Sequence, residues 1–344
     1  MHIKRILVVR FSSLGDIILI TAFIRELKKQ FPNAAIDFLT STTFSGVLEN
    51  NPHLSEIIQF NRKGKSTDLN QIVTDCRKKN YDLVFDAHRS LRSRLFILKL
   101  YGLKSFFKKN IIRIDKRSLK RNLLLVFKIN QFDKIVSQRQ AYCQLLNDVL
   151  PFNDYNTETE LFPAVKHEKK ILKILSNHNF IPKEFIAIGP GASFAGKCWS
   201  KENYLKLITV LIQQKQKIVI IGGNNEPETN WIAKNAIQEG VLNLAGKLSY
   251  LESAALLKAA RITICNDSAI MHFSEAVKTP VLSIFGPTAK EFGFGPFLDA
   301  SHLIEIDLPC RPCSRNGKGK CTNKVERQCL NNIDVDAVVK FINF

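Results

Sequence analysis

The amino-acid sequence predicts an α/β fold made of two Rossmann-like domains that face a central cleft. Short apolar runs alternate with longer helical patterns, which is typical of βαβ units around a parallel sheet. The alternation occurs twice along a chain of 344 residues, and this length accommodates two domains of ordinary size. We therefore predict an N-terminal domain at 1–160 and a C-terminal domain at 161–344, with the last residues free to pack back on the first domain.

The first half begins with an apolar strand at 6–9 and a helical pattern at 17–31. Further strands are predicted at 35–39 and 81–86, and the Pro-, Asn- and Asp-containing stretch 151–167 is predicted as a linker. The second half repeats the alternation. Its predicted strands are 185–188, 217–221, 241–244, 261–265 and 281–285, and its predicted helices are 201–214, 228–238, 250–260 and 269–277.

Positive charge is concentrated in the first half. The chain has 50 Lys and Arg against 31 Asp and Glu, a net charge of +19. Residues 1–150 hold 27 basic and 12 acidic side chains, which leaves 23 and 19 for the remainder. Such a field favours a polyanionic partner: nucleic acid, an anionic membrane surface or a phosphorylated substrate. No apolar run reaches the roughly 18 residues of a membrane-spanning helix, so neither a span nor a secretory signal is predicted.

The eight cysteines do not follow a disulfide framework, which fits a reducing cytoplasm. Four of them have the spacing C-x2-C-x7-C-x7-C near the C-terminus. This spacing is compatible with a structural tetrahedral metal site, with disulfides or with free thiols in a loop, and the sequence leaves all three open. The four are Cys310, Cys313, Cys321 and Cys329.

Ligands of parallel sheets bind beyond the carboxyl ends of the strands, where helix N-termini offer free N–H groups. The loops at 11–16, 189–193, 266–269 and 285–288 have the small, polar or glycine-rich composition expected there. Neither G-x-G-x-x-G nor G-x-x-x-x-G-K-[ST] occurs, which argues against NAD enzymes and P-loop ATPases. Lys197 is either a phosphate ligand or a solvated lysine, and Asp16 is either a helix cap or a general base.

Several segments resemble one family along almost the whole chain. They are ILVVRFSSLGDIILITAFIRELKKQFP, IGPGASFAGKCWSKENYLKL, IIGGNNEPE and NDSAIMHFSEAVKTPVLSIFGPT. Together they resemble the ADP-heptose:lipopolysaccharide heptosyltransferases, glycosyltransferase family 9. The resemblance implies a GT-B fold, with the acceptor at the N-terminal domain and the nucleotide sugar at the C-terminal one.

The resemblance also implies the reaction. Heptose moves from ADP-L-glycero-β-D-manno-heptose to the lipopolysaccharide inner core, Kdo-lipid A or heptosyl-Kdo-lipid A, in a single inverting displacement without a required cofactor or metal. Asp16 would be the general base, and Lys197 would offset charge on the leaving diphosphate. The implied donor-binding residues are Ser193, Lys197, Glu226, Gly246, Leu248, Asp267, Ser268, Ala269, Ile270, His272 and Thr288. Ala269 and Ile270 stand where the common motif has Gly and Pro, and the alanine leaves less room for a phosphate.

The acceptor side has a charge signal of its own, because residues 89–121 contain twelve Lys and Arg and one acidic residue. We predict a cradle for the carboxylates and phosphates of the acceptor. Its members are Ser13, Gly15, Arg62, Lys63, Lys65, Arg89, Arg92 and Arg139. A solvated basic face or attraction to an anionic membrane are the alternatives, each basic group near such a surface contributing roughly 1 kcal/mol. We expect a cytoplasmic protein, peripheral on the inner face of the inner membrane.

Two other functions compete. One is a GT-B glycosyltransferase that uses another nucleotide sugar or another surface-glycan acceptor. The other is a basic nucleic-acid-binding protein, motivated by a sequence pI of about 9.6. The sequence lacks the interleaved aromatic and basic residues of RNA-binding modules, so no nucleic-acid partner is expected.

Overall fold

The computed structural model describes residues 3–62, 64, 66–106, 109–132, 134–151 and 153–342. The chain divides into two compact units. The first contains Met1–Lys116 and Gln138–Phe162, and the second contains Arg117–Ser137 and Pro163–Phe344. The predicted division after residue 160 misses the excursion of 117–137, which belongs to the second unit.

Two basic side chains attach residues 117–137 to the second unit. The Arg121 guanidinium donates to the Phe292 carbonyl at 2.9 Å and lies over the rings of Phe292 and Phe294. The Lys128 ammonium donates to the carbonyls of Cys310 and Pro312 at 3.0 and 2.7 Å. These partners are remote in the chain, so the local sequence pattern contains no sign of them.

The first unit is built on a parallel sheet with the strand order β3-β2-β1-β4-β5. Its strands are β1 (Arg5–Val9), β2 (Ala35–Ser41), β3 (Glu56–Phe60), β4 (Leu83–Asp86) and β5 (Ile111–Arg113). Its helices are α1 (Leu14–Leu19), α2 (Thr21–Gln30), α3 (Thr42–Ser45), α4 (Ser66–Lys78), α5 (Leu91–Tyr101) and, within the later part of the chain, α7 (Gln138–Cys143). The central strand β1 is buried from Ile6 to Val9 and pairs with β2 and β4.

The second unit contains a parallel sheet with the order β11-β10-β9-β6-β7-β8. Its strands are β6 (Phe185–Gly189), β7 (Lys217–Ile220), β8 (Val241–Asn243), β9 (Ile262–Asn266), β10 (Val281–Ile284) and β11 (His302–Ile304). Its helices are α6 (Ser118–Asn122), α8 (Val165–Asn177), α9 (Lys201–Gln213), α10 (Pro227–Asn235), α11 (Tyr250–Ala259), α12 (Ala269–Ala276), α13 (Gln328–Asn331) and α14 (Val335–Lys340). Trp199 and Tyr204 pack with the apolar residues of β6, β7 and β9 in its core.

The strands predicted in both halves are confirmed to within one or two residues at their ends, and so is the alternation with helices. The helix predicted at 17–31 is wrong in its continuity, because Ile20 separates α1 from α2. The edge strands β3, β5 and β11 were not predicted. They are three to five residues long with at most two consecutive apolar residues, so they lack the apolar run that marks the central strands.

None of the helices in the described residues is both long enough and apolar enough to cross a membrane.

Candidate active site

The strand order of the first unit reverses at β1, whose neighbours are β2 and β4. At such a reversal the loops beyond the carboxyl ends of the strands diverge and leave room for a ligand. Asp16 lies there, in the first turn of α1, and its side chain is only 12% exposed. The side chain of Ser13, at the N-cap position, donates to Asp16 Oδ2 at 2.6 Å, and the Ser13 backbone N–H also points to this oxygen, at 3.2 Å.

Two longer-range contacts complete the surroundings of this carboxylate. The Arg10 guanidinium lies 2.6 Å from Asp16 Oδ2. The Tyr142 hydroxyl, from α7, donates to Oδ1 at 3.0 Å. Burial alone would raise the pKa of Asp16, but the Arg10 charge and the hydrogen bonds from Ser13 and Tyr142 outweigh it and hold the pKa below its ordinary value. Asp16 is therefore a helix-capping residue and also an ionised carboxylate. We call Arg10, Ser13, Asp16 and Tyr142 the Asp16 site.

Arg10 and Tyr142 were not predicted as site residues. Arg10 immediately follows β1, and its guanidinium also donates to the Ala87 carbonyl at 2.6 Å and lies over the Tyr142 ring. Arg10 interrupts an apolar stretch just before the SSLGD segment. A charged residue at that point of the sequence was the signal that could have identified it as a site residue. Nothing local to Tyr142 distinguishes it from a core tyrosine.

The loop after β4 approaches the same edge. The buried Asp86 ends β4, and its Oδ1 accepts the backbone N–H groups of His88 and Arg89 at 3.1 and 2.7 Å. Lys116 follows β5 and interacts with the charges of Arg10, Asp86 and Asp16. Burial, and then the Arg10 charge, lower the pKa of Lys116. Neither His88 nor Lys116 was predicted individually, although both lie in or beside the basic stretch 89–121.

The described members of the predicted acceptor cradle all belong to the first unit. Arg62 is exposed in the turn after β3, and Gly15 lies in α1 beside Asp16. The Arg89 guanidinium donates to the Ile114 carbonyl, and Arg92 lies over the Phe60 ring. Lys63 and Lys65 lie outside the described residues.

Arg139, which the sequence analysis places in this cradle, is buried and bonded within the first unit. Arg139 is 9% exposed, and its guanidinium donates to the Thr157 carbonyl at 2.7 Å and the Thr157 hydroxyl at 3.2 Å. Its charge therefore serves to hold a neighbouring loop of the first unit.

In the second unit, the carboxyl ends of β6, β9 and β10 bring together three predicted donor-binding residues. The Lys197 ammonium lies 2.8 Å from Asp267 Oδ2, and the Thr288 hydroxyl donates to the same oxygen at 2.7 Å. Each side chain comes from the loop after a different strand of the sheet. We call Lys197, Asp267 and Thr288 the Lys197 site. A cation beside the N-terminus of a helix, here α12, is the chemistry that binds a diphosphate.

Asn266 holds these loops in place and was not predicted as a site residue. It is fully buried at the end of β9, and its side-chain oxygen accepts from the Trp199 backbone N–H and the Tyr204 hydroxyl. Its side-chain nitrogen donates to the Pro190 carbonyl at 2.5 Å. Asn266 thus ties the loop that carries Lys197 to the strand that precedes Asp267.

Glu226 lies beyond β7 with three glycines around it. A Cβ at Gly191 would lie 1.9 Å from a Glu226 carboxylate oxygen, and one at Gly222 would lie 2.6 Å from it. Burial raises the pKa of Glu226, which a hydrogen bond from Thr229 partly offsets. Gly246, after β8, has a positive φ of 71° and lies against Asn224, so the loops after β7 and β8 are in contact.

The remaining predicted donor residues occupy the same edge or the start of α12. Ala269 and Ile270 form the first turn of α12, where backbone N–H groups lack helical partners. The Ser268 hydroxyl is buried and has no hydrogen-bond partner within the described residues. His272 is buried in α12, Ser193 is exposed, and Leu248 is half-buried just before α11.

The four C-terminal cysteines all have free thiols. Three of them, Cys313, Cys321 and Cys329, line a cavity of about 650 Å³. Among the described residues, no group of three or more His, Cys, Asp or Glu side chains is arranged to hold a metal ion. Burial, and then the neighbouring thiols, raise the pKa of Cys313; burial raises that of Cys329 to about 11.

Comparison with known proteins identifies the fold and the family. The family model "Glycosyltransferase family 9 (heptosyltransferase)" matches residues 71–322. Lipopolysaccharide heptosyltransferase 3 of Escherichia coli K12 is 27% identical over 301 residues, which cover 81% of each chain.

Two solved structures share the fold. A glycosyltransferase family 9 protein of Veillonella parvula has a TM-score of 0.81 at 20% identity, over 99% of this chain and 96% of that one. An E. coli heptosyltransferase solved with ADP has a TM-score of 0.66 at 19% identity, over 99% and 97%. The two parallel-sheet units have the GT-B fold that the family resemblance implies. The chain belongs to glycosyltransferase family 9, the heptosyltransferase family.

Proposed function

We propose that this protein transfers heptose from ADP-L-glycero-β-D-manno-heptose to the lipopolysaccharide inner core, Kdo-lipid A or heptosyl-Kdo-lipid A, with inversion at the anomeric carbon. The family match supports the reaction class, and the relatives, a lipopolysaccharide heptosyltransferase and a heptosyltransferase solved with ADP, support the acceptor and the donor. In this proposal the second unit binds the nucleotide sugar at the Lys197 site and the first unit binds the acceptor at the Asp16 site.

The observation that carries the mechanism is the state of Asp16. Its surroundings keep it ionised, and Oδ1 accepts from Tyr142, which leaves that oxygen a second lone pair for the acceptor hydroxyl. The hydroxyl oxygen bonds to the anomeric carbon while the bond from that carbon to the phosphate oxygen breaks. The proton goes to Asp16, and ADP departs from the opposite face. Because the low pKa makes Asp16 a weak base, the proton moves late, once the attacking oxygen has become acidic.

The second unit supplies the groups that the leaving diphosphate needs. Lys197 compensates for the charge that grows on ADP, and its three N–H donors allow it to contact phosphate oxygens in addition to Asp267. The unpartnered Ser268 hydroxyl and the first N–H groups of α12 would bind the phosphates. Glu226 and Gly246, on the adjacent loops, would bind the ribose and the adenine.

Turnover of purified protein with ADP-heptose and Kdo-lipid A, followed by ADP release, tests this proposal. We expect Asp16→Asn to lower kcat about 10³-fold, the range of general-base catalysis, and the surface variant Asp75→Asn to act like the wild type. The anomeric configuration of the product, read by NMR, tests inversion. Undiminished turnover by Asp16→Asn would exclude Asp16 as the base, and release of UDP or GDP from the corresponding sugars, with none from ADP-heptose, would exclude the donor.

We also propose that the protein works as a peripheral protein on an anionic membrane surface, the cytoplasmic face of the inner membrane. Support comes from α5, which exposes Leu91 by 86% and Leu95 by 44% on a helix that also carries Arg92, Arg94 and Lys99. Apolar side chains beside cations suit the boundary between headgroups and acyl chains.

Flotation with phosphatidylglycerol-containing vesicles tests this surface. The double variant Leu91→Ser, Leu95→Ser should bind about 30-fold more weakly or worse, since each buried leucine contributes on the order of 1 kcal/mol or more. Leu172→Ser, at a similarly exposed leucine of α8, is the matched control. Equal flotation of wild type and the double variant would exclude α5 as the contact.

A further inference from the structure

We propose that His88 is a further acceptor-binding residue, whose Nε2–H group donates a hydrogen bond to an anionic oxygen of the acceptor sugar at the Asp16 site. The inference rests on the proposed function and names a contact that neither the family motifs nor the sequence analysis assigned.

The backbone of His88 is held by β4 and the turn after it. Asp86 Oδ1 accepts the N–H groups of His88 and Arg89, and Asp86 Oδ2 accepts from the Ser93 hydroxyl at 3.1 Å. Because β4 is the neighbour of β1, this turn and the Asp16 site share the edge where the strand order reverses. The Arg10 guanidinium joins the two, since it contacts both Asp16 and the Ala87 carbonyl.

The imidazole ring is fixed in one tautomer. The Phe11 backbone N–H donates to His88 Nδ1 at 3.2 Å, and the two rings lie 5.8 Å apart. A nitrogen that accepts a hydrogen bond carries no proton, so the neutral ring holds its proton on Nε2. Nε2 has no hydrogen-bond partner among the described residues. The His88 side chain is half-buried, and Nε2 is one of its accessible atoms. The ring therefore offers one donor and cannot act as the general base.

The charges around the ring keep it neutral and select an anion. Arg10, Lys116 and Arg62 face it from the segments that follow β1, β5 and β3, and Asp16 faces it from α1. Burial, followed by the Arg10 and Lys116 charges, lowers the pKa of His88 to about 3. Three cations against one carboxylate favour a carboxylate or phosphate oxygen over a neutral hydroxyl as the partner of Nε2–H.

Kinetics with ADP-heptose and Kdo-lipid A provide the first test. We expect His88→Leu to raise the acceptor KM about tenfold or more, the usual effect of losing one hydrogen bond to a charged group, with the donor KM unchanged. His88→Gln should recover most of the affinity, because its amide can accept from Phe11 and donate to the substrate. His53→Gln, at a half-buried histidine of the same unit that contacts Glu160, is the matched control for stability. An acceptor KM of His88→Leu within twofold of wild type, or an equal rise in donor KM, would overturn the assignment.

NMR of the ¹⁵N-histidine-labelled protein tests the contact without turnover. Long-range ¹H–¹⁵N correlations should show the Nε2–H tautomer from pH 5 to 8, and the Nε2–H resonance should shift when a Kdo saccharide is added. A protonated ring at pH 6, an Nδ1–H tautomer or an unmoved Nε2–H resonance would each overturn it. A wild-type protein that releases no ADP would refute the proposed function, while the NMR titration would still decide whether His88 contacts an anionic sugar.

Discussion

The two units have the same order of their first four strands, but the ion pairs beyond the ends of these strands differ. In each, the first strand lies between the second and the fourth, as in β2-β1-β4 and β7-β6-β9. In the first unit, Arg10 and Asp16 both come from the segment after β1. In the second, Lys197 follows β6, whereas Asp267 follows β9.

The surroundings of the two carboxylates differ. Asp16 accepts on both oxygens, from Arg10 and Ser13 on one and from Tyr142 on the other. The contacts of Asp267 with Lys197 and with the Thr288 hydroxyl both go to Oδ2. The first arrangement fixes the ionisation and orientation of a carboxylate, as a base requires. The second holds a cation by one oxygen of its partner, which leaves that cation able to contact a phosphate.

Among the variants that test this difference between the units, we expect the largest effect from replacing Lys197, the cation of the second unit. Lys197→Met should lower kcat/KM for the donor about 10²- to 10³-fold, because it removes charge compensation in a preorganised site. Initial rates of ADP release at saturating acceptor measure it. Lys201→Met, four residues later with its ammonium over the Trp231 ring, is the control. A Lys197→Met variant within fivefold of Lys201→Met would show that the pair is structural.

Arg10, the cation of the first unit, should act by lowering the pKa of Asp16. Removing Arg10 leaves the burial that raises the pKa of Asp16 without the charge that lowers it. In the wild type the ionised form, and the stability it contributes, persists above the ordinary Asp pKa of about 3.9 and is lost as the pH falls through the lower folded pKa. Arg10→Met should therefore move the acid limb of kcat/KM upward by about one unit or more, so that its loss of turnover relative to the wild type grows as the pH falls below 5. An unmoved limb would contradict the electrostatic role; Arg5→Met, at the exposed start of β1, is the control.

These two pairs also show what the sequence could predict. The loops at 11–16, 189–193, 266–269 and 285–288 follow predicted strands, so a parallel sheet was enough to place Asp16, Asp267 and Thr288 beyond the carboxyl ends of strands. The roles of these residues and of Lys197 came from the family resemblance.

Arg10, Tyr142 and His88 were not predicted as site residues, because they lie outside those loops and several of their contacts are with residues distant in the chain. The Tyr142 hydroxyl reaches Asp16 across 126 residues, and Arg10 reaches Ala87 across 77. The sequence also failed to predict that residues 117–137 belong to the second unit, because their contacts are distant in the chain. Their cations bond to backbone carbonyls, which look alike at every position of the sequence.

Two glycine variants next to Lys197 should distinguish the effect of side-chain contact from that of backbone strain, and we expect a smaller effect from them. Gly317 has a φ of 83°, and a Cβ there would lie 2.2 Å from Lys197 Cγ. Gly319 has a φ of 109° with nothing within 4 Å of such a Cβ. Gly317→Ala should therefore displace the Lys197 side chain and lower kcat/KM for the donor about tenfold, the order expected when a catalytic group is misplaced by less than an ångström. Gly319→Ala carries a similar backbone penalty and should leave kcat/KM nearly unchanged. Equal losses in the two variants would mean that loop strain, and not contact with Lys197, sets the effect.

The smallest effect concerns the Tyr142 hydroxyl, which contacts the Asp16 oxygen that we assign to proton transfer. Tyr142→Phe keeps the buried ring that Arg10 lies over and removes one hydrogen bond to Oδ1, which on average contributes about 1 kcal/mol. Turnover should fall about threefold to fivefold, and the acid limb should rise by less than the shift in Arg10→Met, because the charge of Arg10 remains. Tyr155→Phe, which removes a hydroxyl bonded to Asn147 in the same unit, controls for loss of a buried hydrogen bond. Since the fixed carboxylate of the first unit depends on both oxygens being held, a Tyr142→Phe enzyme that matches Tyr155→Phe in rate and pH profile would mean that Arg10 and Ser13 alone orient Asp16.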